Sequence, residues 1–368
     1  MQTLRLLAAA VLLAPAMSAQ YIAYFGTYTK PSKSQGIYAC RFDSSTGKLT
    51  APTLAAETPS PSFLAVHPNG RFLYAVNEIN GDGMVNAFAI DRSSGALKPL
   101  NHVSSRGNGP CHLALDRTGQ VLYAANYGSG SITAWPVNAD GSLGESTGFD
   151  QHTGSSANPD RQKGPHAHGT FLSPDNRFVL TPDLGLDKIF VYRVDAAKAA
   201  LPANDPPFFQ TAPGSGPRHL AFHPNGKFVY VLTEMGITVV GYRWDAQRGA
   251  AEQIQTINAF PAGTRMSGAE IEVHPNGRLL FASVRGDNSI AVFQVDPATG
   301  KLTAAGRTPT EGKTPRGFAV APGGKFLLVG NQDSDSVFKF AIDEKTGALT
   351  KTGEPLQIGS PVSIVFVR

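Results

Sequence analysis

Charge is scarce in this sequence. Asp, Glu, Lys and Arg supply 16% of its 368 residues, against roughly 25% in an ordinary soluble domain. That shortage argues against long solvated helices laced with surface ion pairs. The formal net charge of +4 is small and scattered. With no basic run and no stripe of aromatics interleaved with Lys or Arg, no nucleic-acid partner is expected. A modest positive balance does suit small anionic substrates. Cysteine is limited to Cys40 and Cys111, too few for a disulfide-rich scaffold. Long apolar runs are missing as well: no stretch reaches the roughly 20 residues of a bilayer-spanning helix. What the chain has instead is 39 glycines and 27 prolines, the composition of many short strands joined by turns.

The first residues read differently from the rest. A single positive charge, Arg5, precedes an apolar run through Leu13, and small residues then lead to Ala19 and Gln20. This is the layout of a secretory signal. Residues 1–19 are expected to be removed, leaving 20–368 as one domain that is periplasmic or secreted and free of the membrane. An uncleaved lipid-facing anchor is the alternative.

The remaining chain repeats itself. Pro61-Ser-Phe-Leu-Ala-Val-His67-Pro-Asn-Gly70-Arg-Phe-Leu-Tyr-Ala-Val-Asn77 returns as Pro217-Arg-His-Leu-Ala-Phe-His223-Pro-Asn-Gly226-Lys-Phe-Val-Tyr-Val-Leu-Thr233. It returns again around His274-Pro-Asn-Gly277, and looser copies centre on Asp116, Ser173 and Ala321. Successive anchors are 49, 57, 50, 51 and 47 residues apart. Each unit holds a β-rich run, a Pro-Asn-Gly turn, a second run, an alternating third strand and an Asp-x-x-x-Gly turn such as Asp91–Gly95, Asp296–Gly300 or Asp343–Gly347. Four antiparallel strands at this period make a propeller blade. Six anchors give six blades. A seventh is expected from Pro361–Val367 as first strand and the segments 21–25 and 36–42 as its successors. The prediction is an all-β, seven-bladed β-propeller whose ring is closed by a blade shared between both termini.

Strand direction sorts the loops onto two faces. The His67, His223 and His274 turns fall on one face and are read as structural. The opposite face collects the residues five before each anchor (Ser62, Cys111, His168, Arg218, Ala269, Arg316). It also collects those ending the second strands: Asn77, Glu78, Asn126, Tyr127, Asp183, Glu234, Arg285, Asn331 and Gln332. So many polar groups around one depression mark the default place for ligand chemistry. In this architecture Cys40 lies on an outer strand and Cys111 near the axis, too far apart to pair. Trp135 and Trp244 fall on third strands as core residues. The stretch from Gly141 to Gly164 is expected to loop over the rim. Its Gly144-Glu-Ser-Thr-Gly148 matches a hydrolase nucleophile motif but lacks the strand-to-helix turn that strains the serine.

At His166-Ala-His168-Gly169, Gly216-Pro-Arg218-His219, Leu232-Thr-Glu234 and Ala282-Ser-Val-Arg285, the sequence resembles the propeller lactonases. That family includes 6-phosphogluconolactonase-like and carboxymuconate-lactonizing enzymes. The resemblance covers essentially the whole mature chain and implies a His, two Arg and a Glu at the active site. By motif these are His168, Arg218, Glu234 and Arg285. His166, His219, Glu270 and Arg316 are candidates for binding substrate. Arginine forks would hold carbonyl, carboxylate or phosphate oxygens, and His168 would transfer protons with Glu234 beside it. His166 and His168 lack the carboxylate cluster of a metal set, so no metal or cofactor is expected. The expected partner is a small lactone, anionic or sugar-derived, acted on by a monomer. A lactone-forming enzyme and a non-catalytic binding platform are the alternatives.

Overall fold

The computed structural model describes residues 20–261 and 266–368; the expected signal at 1–19 lies outside the described residues. Seven antiparallel sheets follow one another around an axis. Blade 1 runs from the axis outward as Leu64–Val66, Phe72–Asn77, Asp82–Ile90 and Leu97–Asn108. Blades 2 to 6 start from the inner strands Pro110–Leu115, Phe171–Leu172, Pro217–Phe222, Ser267–Val273 and Pro315–Val320. Blade 7 takes its inner strand, Pro361–Val367, from the C-terminus and its other three, Gln20–Thr27, Gly36–Asp43 and Thr53–Glu57, from the N-terminal side. The predicted ring closure is therefore present. Blade 6 departs slightly from four strands, because its outer edge is split into Leu349–Lys351 and Leu356–Gln357. Among the described residues the only helical element is the 3₁₀ turn Gln332–Ser334.

The core is not at the centre. The buried apolar side chains fall into seven clusters, one between each adjacent pair of blades. Phe228, Tyr230 and Leu232 of blade 4, for example, pack on Ile271, Leu280 and Ala282 of blade 5. Each sheet is covered on both faces by its neighbours, so its second strand reads as a continuous apolar run. Trp135 and Trp244 are buried in these interfaces, as expected. Packing is thereby satisfied around the circumference, and the axis is left free for polar groups.

Polar latches add register to this packing. His223 Nε2 donates to Gly277 O in the next blade's turn at 2.7 Å, while its Nδ1 accepts from Asn225 N at 3.1 Å. His274 and His67 repeat the contact with Gly324 O and Gly119 O. These are the turn histidines read as structural from the sequence. Tyr24 and Tyr230 add a second latch, each donating its buried hydroxyl to the glycine carbonyl of a neighbouring Asp-x-x-x-Gly turn, and Tyr74 does the same to Gly141 of the Asn138–Gly141 turn. The two cysteines are free and buried.

Candidate active site

A register irregularity, repeated from blade to blade, builds the site. In blade 4, Pro217 pairs with Thr233 and His219 pairs with Leu232, which leaves Arg218 as an extra residue. Cys111 and Arg316 are the extra residues of blades 2 and 6 in the same register. Such a bulge breaks the in-out alternation and re-aims one side chain, here toward the axis. The second strand contributes through its final pair of residues. The first of each pair ties down loops: Asn77 bonds Thr58 Oγ1, Asn126 bonds Ser105 O, and Asn331 bonds Thr310 O. Asp183 likewise accepts from His166 N and Gly185 N. These four were expected in the depression and are instead loop staples. Glu78, Tyr127 and Glu234, the second residues of their pairs, face the axis together with Arg285 from its strand's last position; Gln332, also expected there, starts the 3₁₀ turn and does not line the cup.

Together these side chains line a cup of about 420 Å³, formed by Tyr28, Glu78, Cys111, Tyr127, Arg161, His168, Glu234, Ser267, Arg285 and Arg316. Its volume is within the range of small-molecule sites. Glu234 is the hub of one wall. Its Oε1 accepts from Arg161 Nη2 at 2.8 Å; its Oε2 lies 3.0 Å from Arg285 Nη2, 3.3 Å from Arg218 Nε and 3.9 Å from His168 Nε2. Glu78 organises the other wall. Its Oε2 accepts from the hydroxyls of Tyr28 at 2.7 Å and Ser62 at 2.5 Å, and Arg316 Nη2 stands 3.7 Å from its Oε1. The Arg316 guanidinium also lies 5.2 Å from the Tyr28 ring centre.

Four guanidiniums thus meet two carboxylates, and the electrostatics follow from that excess. Burial opposes ionisation of Glu234, but Arg285, Arg218 and Arg161 outweigh it and hold the carboxyl at about 2. His168 is driven the other way: burial, then Arg218, His219 and Arg316, keep it well below the ordinary imidazole value and therefore neutral. Burial and Arg218 also lower Arg285, to about 10. Arg285 Nε is a buried donor without a hydrogen-bond partner, whereas Arg218 Nε faces the Glu234 carboxylate at 3.3 Å as an ion pair out of line for a hydrogen bond.

Sequence reasoning placed His168, Arg218, Glu234, Arg285 and Arg316 together, and they are together. His166 sits at the rim, stacked on Tyr127 at 4.6 Å with Nδ1 donating to Tyr127 O. His219 and Glu270 do not line the cup. They pair with each other at 2.9 Å further along the axis, where Glu270 borders a different cavity. Among the described residues no group of three or more His, Cys, Asp or Glu is arranged to hold a metal ion. The expected rim loop is also shorter at its start, because Gly148–Gln151 forms the outer strand of blade 2. The Gly144–Gly148 motif runs into that strand, with no helix behind it.

Three cup-lining residues were missed: Arg161, Tyr28 and Ser267, which opens the inner strand of blade 5. Arg161 comes from the irregular segment after blade 2, where no period constrains it; there it bonds both Tyr127 OH and Glu234. Tyr28 was legible, since Thr27-Tyr28 of blade 7 aligns with Asn77-Glu78 of blade 1.

A family model described as "Lactonase, 7-bladed beta-propeller" matches residues 22–366. The chain belongs to this lactonase family. Among family relatives, a Bacillus subtilis 6-phosphogluconolactonase is 38% identical over 301 residues, spanning 81% of this chain and 84% of the relative. A 6-phosphogluconolactonase of Formosa agariphila is 32% identical over 303 residues, spanning 81% and 85%. The solved periplasmic gluconolactonase of Pseudomonas aeruginosa superimposes with a TM-score of 0.89 at 38% identity, covering 95% of this chain and 99% of that one.

Proposed function

We propose that this protein hydrolyses a sugar lactone in the axial cup, outside the cytoplasm. One observation carries the reading. Arg285, with an unpartnered Nε–H, stands on the wall of an open cup beside an ionised Glu234 and a neutral His168, and the buried Arg218 backs the same carboxylate. Lactone opening needs those functions: donors for the oxyanion, a base for water and an acid for the leaving ring oxygen. Arg285 receives the carbonyl oxygen as it gains charge, and Arg218, buried behind Glu234, adds positive potential to that wall. His168 takes a proton from the attacking water and returns one to the ring oxygen, while Glu234, 3.9 Å away, stabilises the transient imidazolium.

The other wall supports an unphosphorylated aldonolactone. Glu78, with Tyr28 and Ser62, offers hydroxyl-sized hydrogen-bonding partners and would repel a phosphate placed against it. The signal-like leader agrees, because phosphorylated sugar lactones belong to cytoplasmic metabolism. A panel of phosphorylated and unphosphorylated lactones assayed with the mature protein tests the reading. The expected result is turnover of an aldonolactone that falls about 10²- to 10⁴-fold in His168→Ala and Arg285→Ala with the fold retained. Unchanged turnover in both variants, or no wild-type activity above buffer, would overturn it.

A further inference from the structure

Hydrolysis of a lactone, the reaction on which this inference rests, releases a proton. Water adds to the carbonyl carbon, the bond to the ring oxygen breaks, that oxygen takes a proton, and the new carboxylic acid ionises at neutral pH. The group nearest this event, His168, is buried and held neutral by burial and by Arg218, His219 and Arg316. It is therefore a poor place for a proton to stay.

We propose that His219 and Glu270 form a proton exit running along the propeller axis from His168 to the cavity on the opposite face. The bulge that leaves Arg218 against Glu234 sets the next residue, His219, against Glu270 further along the axis. Its ring centre lies 5.3 Å from that of His168. His219 Nδ1 donates to Glu270 Oε1 at 2.9 Å. Its Nε2 is buried with no hydrogen-bond partner, enclosed by the rings of His112, His168, Phe63 and Phe171. Burial, Arg218, Arg316 and Arg285 hold His219 well below the ordinary imidazole value too, so it carries the proton only in passing, Nε2 accepting as Nδ1 releases its own to Glu270.

Glu270 passes that proton to water in a cavity of about 530 Å³ that it borders together with Glu272. The cavity is also lined by Leu115, Leu172, Phe222 and Val273, which sit at or near the ends of the inner strands, next to the Pro-Asn-Gly turns and their looser counterparts, so it opens on the face away from the cup. The groups facing Glu270 are His219 and Arg218 from blade 4, His112 from blade 2, Arg316 from blade 6 and Glu272 on its own strand. Burial, partly offset by Arg218 and the Ile271 N–H, raises Glu270 to about 7. A carboxyl so poised exchanges protons with water near neutral pH.

Glu270→Gln keeps the shape and removes the exchangeable proton; Glu270→Asp keeps the carboxyl. Gluconolactone is the probe, with turnover followed in dilute and concentrated imidazole buffer. The expected result for Glu270→Gln is a kcat about tenfold lower in dilute buffer, with KM unchanged and the loss recovered by concentrated buffer. Glu270→Asp should retain turnover with a displaced pH profile. A wild-type kcat and pH profile for Glu270→Gln in dilute buffer would overturn the exit, as would a loss that buffer does not restore. Absence of wild-type turnover would instead reject the proposed function, so the two failures are distinguishable.

Discussion

Replacing Glu234 by Gln should change the acid stability of the protein by an amount the geometry sets. Its side chain is 8% exposed and touches Arg161, Arg218 and Arg285. The carboxyl ordinarily titrates at 4.5 and in the fold at about 2; at about 1.4 kcal/mol per pH unit, that difference is worth about 3 kcal/mol. Arg161 is 44% exposed, so solvent screens its share and the two buried arginines dominate. The native value lies below the unfolded one. The stabilisation is therefore complete above about pH 4.5 and is lost as pH falls toward about 2. Urea unfolding of wild type and Glu234→Gln at about pH 7, pH 4 and pH 2.5 reads this directly. The stability gap should be about 3 kcal/mol at neutral pH and fall to about 1 kcal/mol by about pH 2.5. A gap that stays constant across the range would refute the ion-pair account and leave packing as the cause.

Glu272 should behave in the opposite sense. Burial raises its carboxyl to about 8, above the unfolded value, so wild-type stability declines as pH rises from about 4.5 to about 8. Glu272→Gln, which can still accept from Val320 N, should melt progressively higher than wild type across that window; equal shifts at all pH values would contradict it. Gly277→Ala should loosen the ring. Gly277 has φ +70°, and a Cβ there would stand 2.8 Å from the His223 ring, for a cost of about 1–3 kcal/mol in thermal unfolding. Gly353 has a similar φ of +69° and open space around it, so Gly353→Ala should cost less; equal losses would show that the latch contributes nothing.

The fold was legible because it repeats. A period of about 50 residues with a Pro-Asn-Gly turn in three copies leaves one architecture, and the orphan strands at the two ends fix the count of blades. The site was legible where it shares that period. His168, Arg218 and Arg316 each sit five residues before an anchor, and Glu234 sits where Glu78 does. Resolution failed at one residue. The period indicates that a strand ends near Asn77 and Glu78, but not which of the two turns inward, because the bulge sets that and leaves no composition signal. Asp183 was misplaced for this reason, and Glu270 because the same irregularity in blade 5 moves it off the cup. Arg161 lay beyond reach: it arrives from a non-repeating segment, and only the folded chain brings it to Glu234.

The bulged register also bears on how such a protein can change. At the ends of the second strands of blades 1 and 2, one residue tethers loops and its neighbour looks into the cup. Asn77 can keep its loop while Glu78 is exchanged, and Pro217 can hold its pairing with Thr233 while the residue after it varies. Substrate preference and foldability are thus written at adjacent but separate positions. A library confined to Tyr28, Ser62, Glu78, Cys111, Tyr127 and Ser267 would sample new specificities on an unaltered ring. The seven blades then serve as a frame with interchangeable fingertips, each supplied by its own segment of the gene.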